Sequence, residues 1–399
     1  MIENRHYCVL SDTLSNNSIC QSTAIILHLY YEEKVNTSLQ YIKKMPKEVD
    51  VYVISPKDEI LTSVQEIYSD SNITIIKKQN RGRDISALLI SCRDFVFKYK
   101  YVCFLHDKKA IRDELTDDTD LWVRNLWDNM IASANYVRNV YSYFVNHADC
   151  GLLIPPERHG DYFNDWIQNK WGKNYKSTKA LADRLGLRID VDKEHPSASL
   201  GTVFWARTEV LKKLIDYPWK YEDFQKEPMD DDGTISHAIE RIFPYLALDA
   251  GYYVKTVVSE RYCPILLEYA QKASNIFVAE TKNLIGVSRV SELFRLNYIK
   301  KILIDSKNND RKIYLYGAGV EGKYCLRYVR SLDIEPDGFL ESYAVKNEFI
   351  EGVKVYRVTE NIISRNDLIV ITPFDKTAKN EIERIIVKFG INDFLYWKE

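Results

Sequence analysis

The feature that most constrains this chain is a set of short, unbroken apolar runs that stop abruptly at charge. The clearest is Tyr101-Val102-Cys103-Phe104-Leu105, ending in His106-Asp107-Lys108-Lys109. An apolar run of this length without alternation fits a strand buried on both faces, the kind that parallel α/β sheets contain. Ligands of open α/β sheets bind outside the carboxyl ends of the strands. A charged cluster at such an end is therefore either a ligand-facing loop or a solvated turn. An aspartate there can meet a hard divalent cation, and lysines there can meet phosphate.

Equivalent runs precede it. Ala24–Tyr30, Val51–Ser55 and Ile73–Ile76 read as strands, separated by helical patterns at 34–46 and 57–69. Val35, Leu39, Ile42 and Met45 share one face of the first helix. A helix over 84–98 leads into the 101–105 strand. Short connections between alternating elements predict a mostly parallel sheet. Further on come helical residues 119–146, a strand at Gly151–Ile154, a polar aromatic insertion at 160–190 and a strand at Gly201–Ala206. Residues 1–22 carry no clear pattern. Residues 264–305 read as a helical extension, and Lys307–Arg311 as a linker. Lys312–Tyr316, Gly338–Leu340 and Leu368–Thr372 then begin a second α/β pattern. The expected division is a first domain over 1–305, its core starting near residue 23, and a second over 306–399.

Composition narrows the class. Of 399 residues, 46% are hydrophobic and 28% charged, which suits a soluble globular protein. The net charge of -2 argues against a general nucleic-acid binder. Seven dispersed cysteines with no CxxC pair point to a reducing, cytoplasmic setting. No signal-peptide core and no long apolar span is read, so any membrane association is expected to be peripheral. The 28 tyrosines and 7 tryptophans suit sugar binding, though such rings also fill cores.

Three segments would converge at the carboxyl edge of a parallel sheet. In Asn80-Arg81-Gly82-Arg83-Asp84, Gly82 permits close backbone approach, the arginines suit phosphate or base, and Asp84 suits a ribose or a helix N-cap. His106–Lys109 is the second. The third is Asp230-Asp231-Asp232-Gly233-Thr234, which opens a helix. Aspartates there favour the helix dipole, yet one near a sugar acceptor is also a candidate general base. Ser236, His237, Glu240 and Arg241 add polar groups to that helix. Trp205 could stack on a sugar or pack in a core; Arg207 could neutralise phosphate. Ser199 lies in a small polar segment after His195. The Pro155–Asp161 stretch reads as an acceptor-side loop, with His159 more a loop residue than a ligand. The histidines are too dispersed for a zinc site.

Taken in order, Asn80–Asp84, Phe104–Lys109, Gly201–Arg207 and Asp232–Arg241 resemble the rhamnan synthesis F family of bacterial polysaccharide glycosyltransferases, over roughly residues 23–265. The resemblance implies a GT-A-like nucleotide-sugar-binding fold. It implies transfer of L-rhamnose or a related sugar from a dTDP-sugar to a growing cell-surface or lipid-linked glycan, at the inner face of the membrane, with inversion. Asn80, Arg81, Gly82, Arg83, Asp84, His106, Lys108, Lys109 and Arg207 become donor-binding candidates. Trp205, Ser199 and His237 become sugar or acceptor candidates. His106-Asp107 stands where GT-A enzymes carry a metal-binding Asp-x-Asp, so Asp107 is the candidate ligand for Mg2+ or Mn2+; no tightly bound organic cofactor is expected. Asp232, with Asp231 second, stands where inverting family-two enzymes carry the base.

In the second domain, Gly317-Ala318-Gly319-Val320-Glu321-Gly322 follows a strand and opens a helix, the context of a dinucleotide fingerprint. Gly317, Gly319, Gly322 and Glu341 are its candidate nucleotide-binding residues. The region resembles small nucleotide-sugar-binding modules attached to sugar-modifying enzymes. The competing reading is an NAD-dependent sugar oxidoreductase or epimerase centred on this loop.

Overall fold

The computed structural model describes residues 7–67, 73–109, 116–157, 171–193, 201–230, 232–286, 290–343, 347–359 and 361–398. Ser199, Asp231, His159 and His195 lie outside them. The chain divides into two compact units, Met1–Tyr269 and Ala270–Glu399, and the division falls within the helix Cys263–Ile285.

The first unit is built on eight strands: β1 (Tyr7–Leu10), β2 (Thr23–His28), β3 (Asp50–Ser55), β4 (Ile73–Lys77), β5 (Tyr101–His106), β6 (Cys150–Ile154), β7 (Phe204–Arg207) and β8 (Tyr253–Ser259). Their order is β1-β8-β6-β7-β5-β2-β3-β4. Every pairing is parallel except those of β7, which runs antiparallel to both β5 and β6. β2, β5 and β6 are buried along their whole length, as unbroken apolar runs require when helices cover both faces. One core packs the helix Ile235–Asp249 against Phe104, Leu152 and Phe204. The other packs Val35–Ile42 and Ala134–Asn146 against Ile25, Cys103 and Trp205. The expected helix over 84–98 is broken: Arg83–Ser86 is one turn, Ala87–Ser91 a wider π-type turn and Val96–Lys98 a 3-10 turn.

The second unit holds six strands: β9 (Ile313–Tyr316), β10 (Gly338–Glu341), β11 (Phe349–Ile350), β12 (Val353–Arg357), β13 (Leu368–Ile371) and β14 (Phe394–Tyr396). Their order is β11-β12-β10-β9-β13-β14, parallel apart from β11. Leu296, Ile299 and Leu303 of the helix Val290–Asn308 join its core with Leu315, Leu326 and Val370. That helix, read from sequence as an extension of the first domain, thus belongs to the second unit. Among the described residues no helix is long and apolar enough to cross a membrane.

Candidate active site

The parallel strands β2, β4 and β5 bring three loops to one edge of the large sheet. His28 and His106 end neighbouring strands and stand opposite each other in register. Both are buried. His28 Nε2 has no hydrogen-bond partner, and burial followed by the nearby Lys78 ammonium pushes its pKa down to about 3. His106 places Nδ1 2.9 Å from Asp107 O and Nε2 2.6 Å from Gly201 O. Burial, and then the Lys108 ammonium, hold it below ordinary imidazole. Asp84 stands 3.8 Å from His106 Nε2 with its side chain 15% exposed. Burial raises its pKa, but the surrounding His106, Lys108 and His28 outweigh that and hold it below the usual carboxylate range.

Sequence reasoning missed Lys78, which follows β4 and is only 5% exposed. Its Nζ donates to Arg81 O at 3.3 Å. Burial lowers its pKa to about 8, against the opposing pull of Asp84 and Glu227. The available signal was its place directly after an apolar strand and two residues before Asn80; the charged pair Lys77-Lys78 made it look solvated.

The rest of the Asn80–Asp84 loop is mostly occupied with holding itself. Arg81 donates to Phe224 O at 2.8 Å and to Glu222 O at 3.0 Å. Gly82 has φ +74°, and a Cβ there would lie 2.6 Å from Phe224 Cγ, so close packing demands glycine. Arg83 forms a fork with Glu227, Nε to Oε1 at 3.0 Å and Nη2 to Oε2 at 3.2 Å. Asn80 is exposed. The turn Arg83–Ser86 packs on the helix Ile235–Asp249, which joins this loop to the third segment.

There Asp232, partly exposed, accepts from Asn174 Nδ2 and from the Lys173 N–H at 3.0 Å. His237 Nδ1 is 2.8 Å from Thr234 Oγ1 in a capping box, and burial lowers its pKa. Asp230 is exposed. On the other side, Lys108 lies 4.2 Å from the Trp122 ring centre, and the exposed Lys109 pairs with Glu33 at 2.5 Å.

Asp107 turns inward. Its Oδ2 accepts the Tyr30 and Tyr31 N–H groups, both at 2.8 Å, which ties the ends of β2 and β5 together. Its Oδ1 is buried without a partner, and burial raises its pKa to about 6. A hard cation needs several oxygen donors. The shallow recess that Asp107 lines also carries two ammonium groups, Lys34 and Lys108. Among the described residues no group of three His, Cys, Asp or Glu side chains is placed to hold a metal ion. The donor set does not fit Mg2+ or Mn2+.

Two candidates are removed from the edge. Because β7 runs antiparallel, Arg207 pairs with Tyr101 at the opposite end of β5. It is buried and donates to Cys150 O at 2.7 Å, Phe144 O at 2.6 Å and Tyr101 Oη at 3.1 Å. Trp205 is fully buried, with Nε1 donating to Met130 O at 2.8 Å. Neither side chain is available to a donor or a sugar.

In the second unit, Gly317 has φ +107°, and a Cβ at Gly322 would lie 2.1 Å from Gly317 O, so the helix sits hard against its loop. Open space surrounds Gly319. Glu341 Oε1 accepts the Ala318 N–H at 2.9 Å, bonding the expected ribose carboxylate to the glycine loop itself.

In a mostly parallel α/β sheet the carboxyl edge, where these polar groups gather, is where ligands bind. Residues 5–252 match the family described as rhamnan synthesis protein F, and the chain belongs to that family. The match ends before the Gly317–Gly322 loop. The protein WxcX of Xanthomonas campestris pv. campestris, in two strains, is 26% identical over 242 residues; the match covers 60% of this chain and 33% of WxcX. The matched region thus spans about a third of the curated relatives. Two crystal structures of the glycosyltransferase GlyE of Streptococcus pneumoniae, one of the apo form, align with 94% of this chain and 91% of theirs, at 12% and 13% identity and a TM-score of 0.26.

Proposed function

We propose that the first unit is a GT-A-like inverting transferase that moves a sugar from a nucleotide diphosphate donor to a glycan or lipid-linked hydroxyl. L-Rhamnose from dTDP-L-rhamnose is the donor that the family favours. The observation that supports the reading is that the 78–84 loop and the His106–Lys108 strand end share one sheet edge, with the turn Arg83–Ser86 packed on the helix that Asp232 precedes.

In this reading Asp232 takes the acceptor hydroxyl proton while that oxygen bonds to the anomeric carbon. The bond from that carbon to the diphosphate breaks on the opposite face, and its electron pair stays on the phosphate oxygen. Lys78 and Lys108 meet the charge that develops there. Asp107 and the His28–His106 pair hold the strand ends that present these lysines. No step is routed through a cation: among the described residues no carboxylate set is placed to hold one. The Gly317–Glu341 loop is read as an accessory nucleotide or nucleotide-sugar site, and the protein as acting at the inner membrane face without spanning it.

The test is donor hydrolysis across a panel of nucleotide sugars, alongside Asp232→Asn. Turnover is expected to fall ~100-fold or more with donor affinity retained. An Asn variant of near wild-type turnover would remove Asp232 from the base role; no hydrolysis of any nucleotide sugar would remove the reaction.

A further inference from the structure

The Asp232 carboxylate is gripped by a turn that lies 58 residues earlier in the chain. Asn174 Nδ2 donates to Oδ1, and the Lys173 N–H donates to Oδ2 at 3.0 Å. Asn174 is fully buried and also donates to Trp171 O at 3.0 Å. Trp171 in turn fixes the turn to the core: its Nε1 donates to Lys193 O at 3.0 Å, and its ring stacks on Tyr245 of the helix that Asp232 precedes. Gly172, at φ +52°, comes so close that a Cβ there would lie 2.6 Å from Asp232 Oδ2.

Each carboxylate oxygen has two lone pairs. Asn174 and the Lys173 N–H engage one bond on each oxygen and the Gly233 N–H adds a third, so the group is oriented with lone-pair capacity left over. We propose that Gly172, the Lys173 backbone and Asn174 form a positioning clip that aims the remaining lone pairs of Asp232 at the acceptor hydroxyl. This rests on the reading of Asp232 as the base. Gly172 and Asn174 are then positioning residues, acting through Asp232.

The clip also sets the charge of the group it holds. Burial raises the Asp232 pKa; the bonds from Asn174, Lys173 N–H and Gly233 N–H, with the Arg241 guanidinium, outweigh it and keep the carboxyl below its usual range. Among the described residues, His237, on the same helix as Arg241, also interacts with it. Loss of the Asn174 bond moves the titration of Asp232 upward.

Asn174→Ala tests this through the carboxyl titration of Asp232, followed by 13C NMR without substrate, and through the pH profile of dTDP-L-rhamnose hydrolysis. The titration and the acid limb of kcat are expected to move to higher pH together. At the pH optimum, kcat falls about 10- to 100-fold, with donor KM changed less than about twofold. Asn174→Ala also loses a core hydrogen bond, so Gly172→Ala supplies a second route: its Cβ displaces Oδ2 while the Asn174 side chain is kept. The same upward titration and kcat loss are expected. An unmoved titration and kcat in both variants overturns the clip. If those variants behave as expected but Asp232→Asn stays active, the base assignment falls and the clip is purely structural. If Asp232→Asn is inactive and neither clip variant has an effect, only the clip falls.

Discussion

Arg207 shows how a single residue is misread when only its type and neighbours are visible. An arginine after an apolar run, in a chain with phosphate-handling motifs, looks like an anion ligand. In the structure its guanidinium closes the far end of the sheet, donating to the Cys150 and Phe144 carbonyls and lying over the Tyr101 and Phe144 rings. Arg207→Ala strands these buried carbonyls, so it is expected to cost about 3 kcal/mol of unfolding free energy in denaturant melts while the folded fraction keeps its donor affinity. A selective loss of donor binding at unchanged stability would return Arg207 to the site. Trp205 carries the same lesson, since its ring and its Nε1–H are both spent inside the core. His106 and Asp84 stand near each other at the carboxyl edge, where the parallel course of β5 puts its C-terminal end.

At the scale of elements, the strands that read clearly are those buried on both faces. β2, β3, β5 and β6 were found within a residue or two because an unbroken apolar run has few other uses; β4, at the sheet edge with no fully buried residue, was read from its β-branched run Ile73–Ile76. β1 and β8 were not: β1 is half exposed at the sheet edge, and β8 carries Lys255 and Thr256 among its apolar residues. The strand ends also carry a stability cost. Lys78 has a folded pKa of about 8 against about 10.4 for a free lysine, with burial the main cause. The folded chain therefore binds fewer protons than the unfolded one between those values, and stability rises with pH there. Below pH 8 the full cost of burying the ammonium is present, about 3 kcal/mol; above the unfolded pKa it is gone. Lys78→Met is expected to be more stable than the parent at pH 7, with the advantage shrinking as pH climbs from 8 towards 10, read from paired denaturant melts. It is also expected to weaken donor binding, because the cost is kept for the ligand. An advantage that grows with pH would reverse the assignment.

The whole molecule consists of two units, each with its own sheet and core. Units with separate cores unfold as separate cooperative steps unless their interface is large and apolar. Calorimetry is expected to resolve two transitions. Gly322→Ala, which forces a Cβ to within 2.1 Å of Gly317 O, should lower one by several degrees and leave the other in place. A single transition that moves as a whole would show that the two units unfold together. Taken alone, the sequence determined the α/β class, the buried strands, the order of the motifs and the family, because burial on both faces and short motifs are written in consecutive residues. Tertiary structure decided which polar residues reach the edge. The antiparallel course of β7 sent Arg207 and Trp205 away from it, and the fold carried the Gly172–Asn174 turn onto Asp232. Both outcomes depend on hydrogen-bond partners chosen between distant segments, and no local pattern encodes that choice.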